Sequence, residues 1–150
     1  MDCYIWAILE EGGWNWLKRC LIDRDNRTAY AYDIRRFPKR GDILVFYGNH
    51  RFYGRITVAE DGRQVTPKDR QNEPELGDWK NIMFLDGATL RLFFNQVQVE
   101  SVADEIEKLN GKTGKSLLAA CRNNPTISID EYKRIVEKGY VNFFRELFLL

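Results

Sequence analysis

Apolar residues occur along this chain in short runs separated by polar and glycine-containing segments. Residues 3–9, 43–47 and 79–85 are apolar runs rich in β-forming residues, and each predicts a buried strand. The polar turn 48–51 joins the second run to a returning strand at 52–58, where Gly54 indicates a bulge or a close backbone approach. Alternation predicts a short strand or extended arm at 28–32 and one or two strands over 89–99.

Apolar residues three to four positions apart, the spacing typical of a helix, occur mainly toward the two ends of the chain. It predicts a short helix over 14–22, helical segments at 102–109 and 117–121, and a last helix from Ile129, where Ser128 and Glu131 form a capping box. Gly139 is expected to interrupt that helix. The polar stretch 59–78, which contains Pro67 and Pro74, predicts a long loop with room for one short strand at 64–66.

These elements predict an α+β fold: a small, curled, mostly antiparallel sheet or open β-barrel of five to six strands, flanked by helices. One domain over residues 1–139 is expected. Residues 140–150 form a strongly apolar tail, which either docks on the core or leads into a further domain.

Composition narrows the class of protein. With 150 residues, 44% hydrophobic and 13% aromatic, the chain does not have the composition of a disordered protein. No run of about 18 apolar residues and no signal-peptide pattern occurs, so we expect no membrane span. Three cysteines without metal-ligand spacing and a single histidine predict a cytoplasmic protein with reduced thiols, no metal and no cofactor.

No catalytic motif stands out, and we expect a chain that is not an enzyme by itself. The segment Lys112-Thr113-Gly114-Lys115-Ser116 is not a nucleotide-binding phosphate loop, because Leu109 stands where that motif requires a glycine. Two interpretations of the 111–114 loop stay open: it holds a nucleic-acid phosphate with Lys112 and Lys115, or it is a solvated turn.

Charge is nearly balanced overall but concentrated locally. The net charge is +1, which excludes binding to polyanions through whole-protein charge. Residues 33–55 nevertheless hold six basic and two acidic residues, interleaved with aromatics. Basic residues can track a phosphate backbone while aromatic rings stack bases. The same residues also suit a strand core with a solvated basic face.

The tryptophans outside the strongest strand pattern also have two interpretations. Trp14, Trp16 and Trp79 either form an aromatic cage or cover the ends of the sheet.

Three segments together resemble the PUA-like superfamily, and within it the EVE and YTH domains. They are the Gly41-Asp42 turn before the strand 43–47, the aromatic-x-Gly strand 52–58, and Trp79 opening a strand after a long loop. The opening strand at Tyr4–Ile8 and Asn123-Asn124-Pro125 before the late helix are similar as well. The resemblance covers roughly residues 3–135 and implies a small open barrel beside a pocket that takes a flipped, modified base.

By position, the resemblance places Trp14 or Trp16 and Trp79 in that pocket, with Tyr30 and Tyr32 where EVE domains carry a Trp and an Asn-containing segment. No Trp-x-Gly-Val-Arg-Asn motif occurs in this sequence. The expected phosphate contacts are basic residues on both sides of the strongest strand and in the 111–114 loop: Arg35, Arg36, Lys39, Arg40, Arg51, Arg55, Lys112 and Lys115.

The resemblance implies a function in reading nucleic acid, with DNA favoured over RNA and N6-methyladenine as one expected base. Similar domains stand at the front of McrB-type modification-dependent restriction enzymes, followed by an AAA+ motor that acts with a nuclease. The alternative is a structural or protein-interaction domain with no nucleic-acid ligand.

Overall fold

A computed structural model of the protein describes residues 1–8, Asn15, Leu17 and 25–149, and for 140–149 only the backbone. Its strands are β1 (Cys3–Ala7), β2 (Thr28–Tyr32), β3 (Ile43–Gly48), β4 (Arg51–Gln64), β5 (Asn81–Gln98) and β6 (Thr126–Ile127). Its helices are α1 (Pro67–Asn72), α2 (Gly114–Arg122) and α3 (Ile129–Leu149), with short 3-10 turns at Pro74–Leu76, Val99–Ser101 and Ala103–Glu105.

The six described strands form one mixed sheet in the order β2-β5-β4-β3-β1-β6. Only the β1–β3 pair is parallel; the other described pairs are antiparallel. Because β2 and β6 stand at opposite edges, the described sheet is open rather than a closed barrel. The predicted α+β class with a curled, mostly antiparallel sheet is therefore confirmed.

Alternation along the central strands creates two cores on opposite faces of the sheet. Ile43 and Val45 of β3 join the core that also contains residues of α2 and α3, which we call the helix-side core. Leu44 and Phe46 join the other core, the inner core, with residues of β1, β2 and β5. Burial on both faces explains why β1 and β3 appear in the sequence as continuous apolar runs.

The predicted hairpin at 48–51 is confirmed, since Asn49 and His50 have φ of 48° and 68° and β3 pairs with β4. Gly54 also behaves as predicted: the β4–β5 register shifts beside it. A Cβ at this position would lie 3.0 Å from the Cα of Leu92, so the close approach of β5 requires glycine.

Several boundaries differ from the sequence-based prediction. Residues 59–63, expected in a loop, continue β4 up to Gln64, the first residue of the short strand predicted at 64–66, because Arg63 and Gln64 pair with Ile82 and Asn81 of β5. The expected turn at Asp86-Gly87 is instead a bulge within the single 18-residue strand β5. β6 and α1 were not predicted, and 3-10 turns replace most of the helix expected at 102–109.

The last helix begins as predicted but does not stop at Gly139. The Ser128 N–H donates to Glu131 Oε1 (2.7 Å), and the Glu131 N–H donates to Ser128 Oγ (3.1 Å), which closes the capping box. Gly139 lies against Phe93 of β5, and a Cβ there would come within 2.6 Å of the Phe93 ring. The glycine therefore serves the packing of α3 on the sheet instead of ending the helix. No helix among the described residues has the length and hydrophobicity needed to cross a bilayer.

Candidate nucleic-acid interface

Trp79 lies at the end of a segment that hydrogen bonds hold against the sheet. The segment begins with α1, whose N-cap Thr66 accepts from the Asp69 N–H (3.2 Å), while the Thr66 N–H donates to Asp69 Oδ2 (2.7 Å). Arg63 of β4 donates from Nη1 and Nη2 to the two oxygens of Asp69 at 2.5 and 2.7 Å. This fork, reinforced by Thr66, holds the pKa of the Asp69 carboxyl well below its usual range and raises that of Arg63.

The same helix also holds the backbone of Trp79 itself. Arg70 donates to the carbonyl oxygens of Gly77 and Trp79, the latter at 3.2 Å. The Trp79 N–H donates to the carbonyl of Leu76 (3.1 Å), whose side chain is buried. The indole is half-buried, so part of it remains accessible at the start of β5. These hydrogen bonds fix the backbone at Trp79, so a ligand that stacks on the indole does not have to order this segment of the chain.

The segment 33–40, which we call the basic arch, lies beside Trp79 at the same end of the sheet. Its backbone is anchored: Asp33 Oδ1 accepts from the Lys80 N–H (3.0 Å), and the Ile34 carbonyl accepts from Asn81 Nδ2 (2.9 Å). The Pro38 carbonyl accepts from the Gly62 N–H (2.7 Å). Apart from Asp33, the exposed residues of the basic arch are either basic or apolar: Ile34, Arg35, Arg36, Phe37, Lys39 and Arg40. An anchored backbone with exposed cationic side chains suits contact with an extended polyanion.

Tyr30 and Tyr32 do not belong to an accessible cage, which corrects the sequence-based prediction. They are only 9% and 5% exposed and pack in the inner core. Tyr32 meets Trp6 edge-to-face with ring centroids 5.3 Å apart, and its hydroxyl donates to the Arg36 carbonyl at 2.7 Å. Burial raises the pKa of this phenol. Alternation correctly placed both rings on one face of β2, but the curl of the sheet covers that face.

Trp14 and Trp16 lie outside the described residues, so the structure does not place their rings. Leu17 is described and is buried in the inner core with Trp6, Tyr30 and Tyr32.

The predicted phosphate contacts do not form one surface. Arg35, Arg36, Lys39 and Arg40 lie at the end where β3 begins, and Arg51 lies at the end where it finishes. Five steps along β3 separate the two ends by about 17 Å. The hairpin end contains a cleft of about 310 Å³, to which His50, Arg51 and Gly114 contribute. Lys112 and Lys115 are exposed beside Gly114, so the structure brings Arg51 and the 111–114 loop together as a second basic group.

The cysteines that the structure describes are core residues, as predicted. Cys3 and Cys121 are free and buried. Burial raises the pKa of the Cys121 thiol to about 12, which keeps it protonated and unreactive at neutral pH. Within the described part of the chain, His, Cys, Asp and Glu side chains form no group of three that could hold a metal.

Comparison with known proteins adds information about the fold. No known family model and no curated protein matches this sequence. Among solved structures, protein Atu2648 from Agrobacterium tumefaciens is similar, with a TM-score of 0.58, 16% identity and coverage of 93% of both chains. At this identity the likeness shows a shared fold and carries no information about ligand or activity.

Proposed function

We propose that this chain is a nucleic-acid-binding module of the PUA-like type, related to EVE and YTH domains, that holds a flipped, modified base against Trp79. The observation that carries the proposal is the position of Trp79. It is partly accessible, its backbone is fixed through Arg63, Asp69 and Arg70, and the two residues after it hydrogen-bond to the start of the basic arch. On the resemblance, we propose Trp14 or Trp16 as the second ring, whereas Tyr30 and Tyr32 are core residues and the Tyr32 hydroxyl donates to the backbone of the basic arch.

Typical binding energies favour base stacking on Trp79 together with phosphate contacts from the basic arch. Extruding a base costs a few kcal/mol, and stacking on an aromatic ring returns about 1–3 kcal/mol per base. A methyl group on the base adds apolar area to the stack and favours the modified over the unmodified form. Arg35, Arg36, Lys39 and Arg40 then supply the sequence-independent part of the affinity through the flanking phosphates.

The test is fluorescence polarisation with short labelled DNA and RNA strands that are unmodified or carry N6-methyladenine or 5-methylcytosine. We expect one modified strand to bind more tightly, and Trp79→Ala to reduce that preference by about tenfold, the equivalent of one lost stacking contact. Trp79→Phe is the matched control and should keep most of the preference, because it retains a ring.

Equal affinity for all strands would contradict the base pocket and leave a generic nucleic-acid surface. Absence of binding at low salt would contradict the whole proposal and favour the protein-interaction alternative. A partner motor or nuclease of the McrB type remains part of the proposal and would be sought only after a modified strand has been identified.

A further inference from the structure

Two arginines stand directly opposite each other in the middle of the sheet. Arg55 of β4 pairs in register with Arg91 of β5, and on its other side with Val45 of β3. Because residues directly opposite share a face, both arginines lie on the face of Val45, which belongs to the helix-side core. Arg55 is half-buried and Arg91 is exposed. Like charges in this arrangement destabilise a sheet unless something neutralises them.

No carboxylate of the described residues neutralises this pair. The Arg55 side chain takes part in no hydrogen bond or ion pair with the described part of the chain, and it is outside the ion pairs Arg27–Glu60, Arg63–Asp69 and Lys138–Glu105. Arg91 uses Nη1 to donate to the carbonyl oxygens of Ala88 (2.9 Å) and Leu90 (2.8 Å), which leaves its other nitrogens available.

A bulge fixes the backbone beside the two arginines. Arg55 and Thr57 are two residues apart on β4, but their partners on β5, Arg91 and Asp86, are five residues apart. Thr89 fills the gap in the ladder: its hydroxyl accepts from the Thr57 N–H (2.9 Å) and donates to the Asp86 carbonyl (2.7 Å). Asp86 Oδ1 accepts from the Ala88 N–H (3.1 Å) within the bulge. Bulges commonly re-aim side chains next to functional sites.

We infer that Arg55 and Arg91 together form a binding site for a phosphate group. An anion between two guanidinium groups would convert their repulsion into charge-assisted hydrogen bonds, for which the planar arginine fork is well suited. The ligand is a backbone phosphate of the bound nucleic acid; this identification rests on the proposed function. Arg91 lies outside the basic segment 33–55, so only strand pairing connects it with Arg55.

The first experiment needs no nucleic acid. The melting temperature is measured at low ionic strength while inorganic phosphate is added, with sodium chloride at matched ionic strength as reference. We expect Arg91→Gln to melt higher than the wild type without phosphate, because a like-charge pair is lost, and to show a smaller rise with phosphate. Arg122→Gln, which changes an exposed arginine at the end of α2, should respond as the wild type does. Equal phosphate responses in the wild type and Arg91→Gln would overturn the site.

The second experiment identifies the phosphate donor. For labelled strands, the slope of log affinity against log salt should fall by about 0.7–0.9 in Arg91→Gln, the value for one phosphate contact, and should be kept in Arg91→Lys. Trp79→Ala should lose base preference with the slope unchanged. If strands bind and the Arg91→Gln slope equals that of the wild type, the Arg55–Arg91 site is refuted while the proposed function stands. If no strand binds but the phosphate response depends on Arg91, the nucleic-acid ligand is refuted and the anion site stands.

Discussion

Breaking the Arg63–Asp69 fork should loosen the segment that holds Trp79. Asp69 is 8% exposed, whereas the Arg63 side chain is 45% exposed, so solvent screens the pair on one side. Two charge-assisted hydrogen bonds would contribute about 1.5–3 kcal/mol each in a dry site, and we discount this to about 1–2 kcal/mol for the pair. At this chain length, that free energy corresponds to a fall in melting temperature of about 3–6 °C for Arg63→Met.

The loss of stability in Arg63→Met should become smaller as the pH falls. The folded-state pKa of Asp69 lies below its unfolded value near 3.8, so the pair stabilises the protein fully above that pH. As the pH falls below about 4, the contribution is progressively lost. The difference in melting temperature between the wild type and Arg63→Met should therefore be constant from pH 8 to pH 5 and shrink toward pH 2.

Circular dichroism melts of a double-mutant cycle provide the assay. Arg63→Met, Asp69→Asn and the double variant should show a coupling free energy of about 1–2 kcal/mol. Arg35→Met is the matched control, since that side chain is exposed, and should melt within about 1 °C of the wild type. Additive single-variant effects, or a difference that grows as the pH falls, would refute the reasoning that this fork holds the Trp79 segment.

Three further predictions concern packing and reactivity. Gly139→Ala should destabilise the protein by about 1–3 kcal/mol, because the new methyl would lie 2.6 Å from Phe93 Cγ; denaturant titration measures this, and Phe93→Leu should recover part of the loss. Gly54→Ala should cost a similar amount, because its Cβ would press on the β5 backbone, which cannot swing away as a side chain can; an unchanged denaturation midpoint would contradict that packing. Cys121 should resist thiol-specific alkylation at pH 8 in the native protein, because burial raises its pKa to about 12, and should react in denaturant, as peptide mass spectrometry would show.

Local signals in the sequence predicted the parts of the fold that local chemistry determines. The Asn49-His50 turn and the Ser128–Glu131 capping box depend on residues within a few positions of one another, and both are present. The signal for α1 was equally local: Thr66 and Asp69 have capping-box spacing and Pro67 occupies the first helical position. That signal lay within a polar, proline-containing stretch that was interpreted as a loop.

The features that the sequence did not predict depend on how the strands pair and on which faces of the sheet are covered. Asp61-Gly62 and Asp86-Gly87 are turn signals, but both lie at register shifts within the long strands β4 and β5, and the ladder resumes beyond each of them. Alternation placed Tyr30 and Tyr32 on one face of β2, yet it does not indicate whether that face is covered. Arg91 depends on a partner on another strand, and the Arg63–Asp69 fork joins the end of β4 to α1, a helix that was not predicted, so neither could be assigned to the site from spacing.

The separation of the basic residues determines what kind of target the chain can hold. The basic arch and Arg51 lie about 17 Å apart along β3, with Arg55 and Arg91 on the strands beside it. At about 3.4 Å per nucleotide along a helical strand, that distance corresponds to about five nucleotides. A free modified nucleoside can therefore contact Trp79 but none of the distant cations, and its affinity should be insensitive to salt. The salt-dependent part of the affinity should appear only as the strand lengthens on either side of the modified base, first through the basic arch beside Trp79 and then through the more distant arginines.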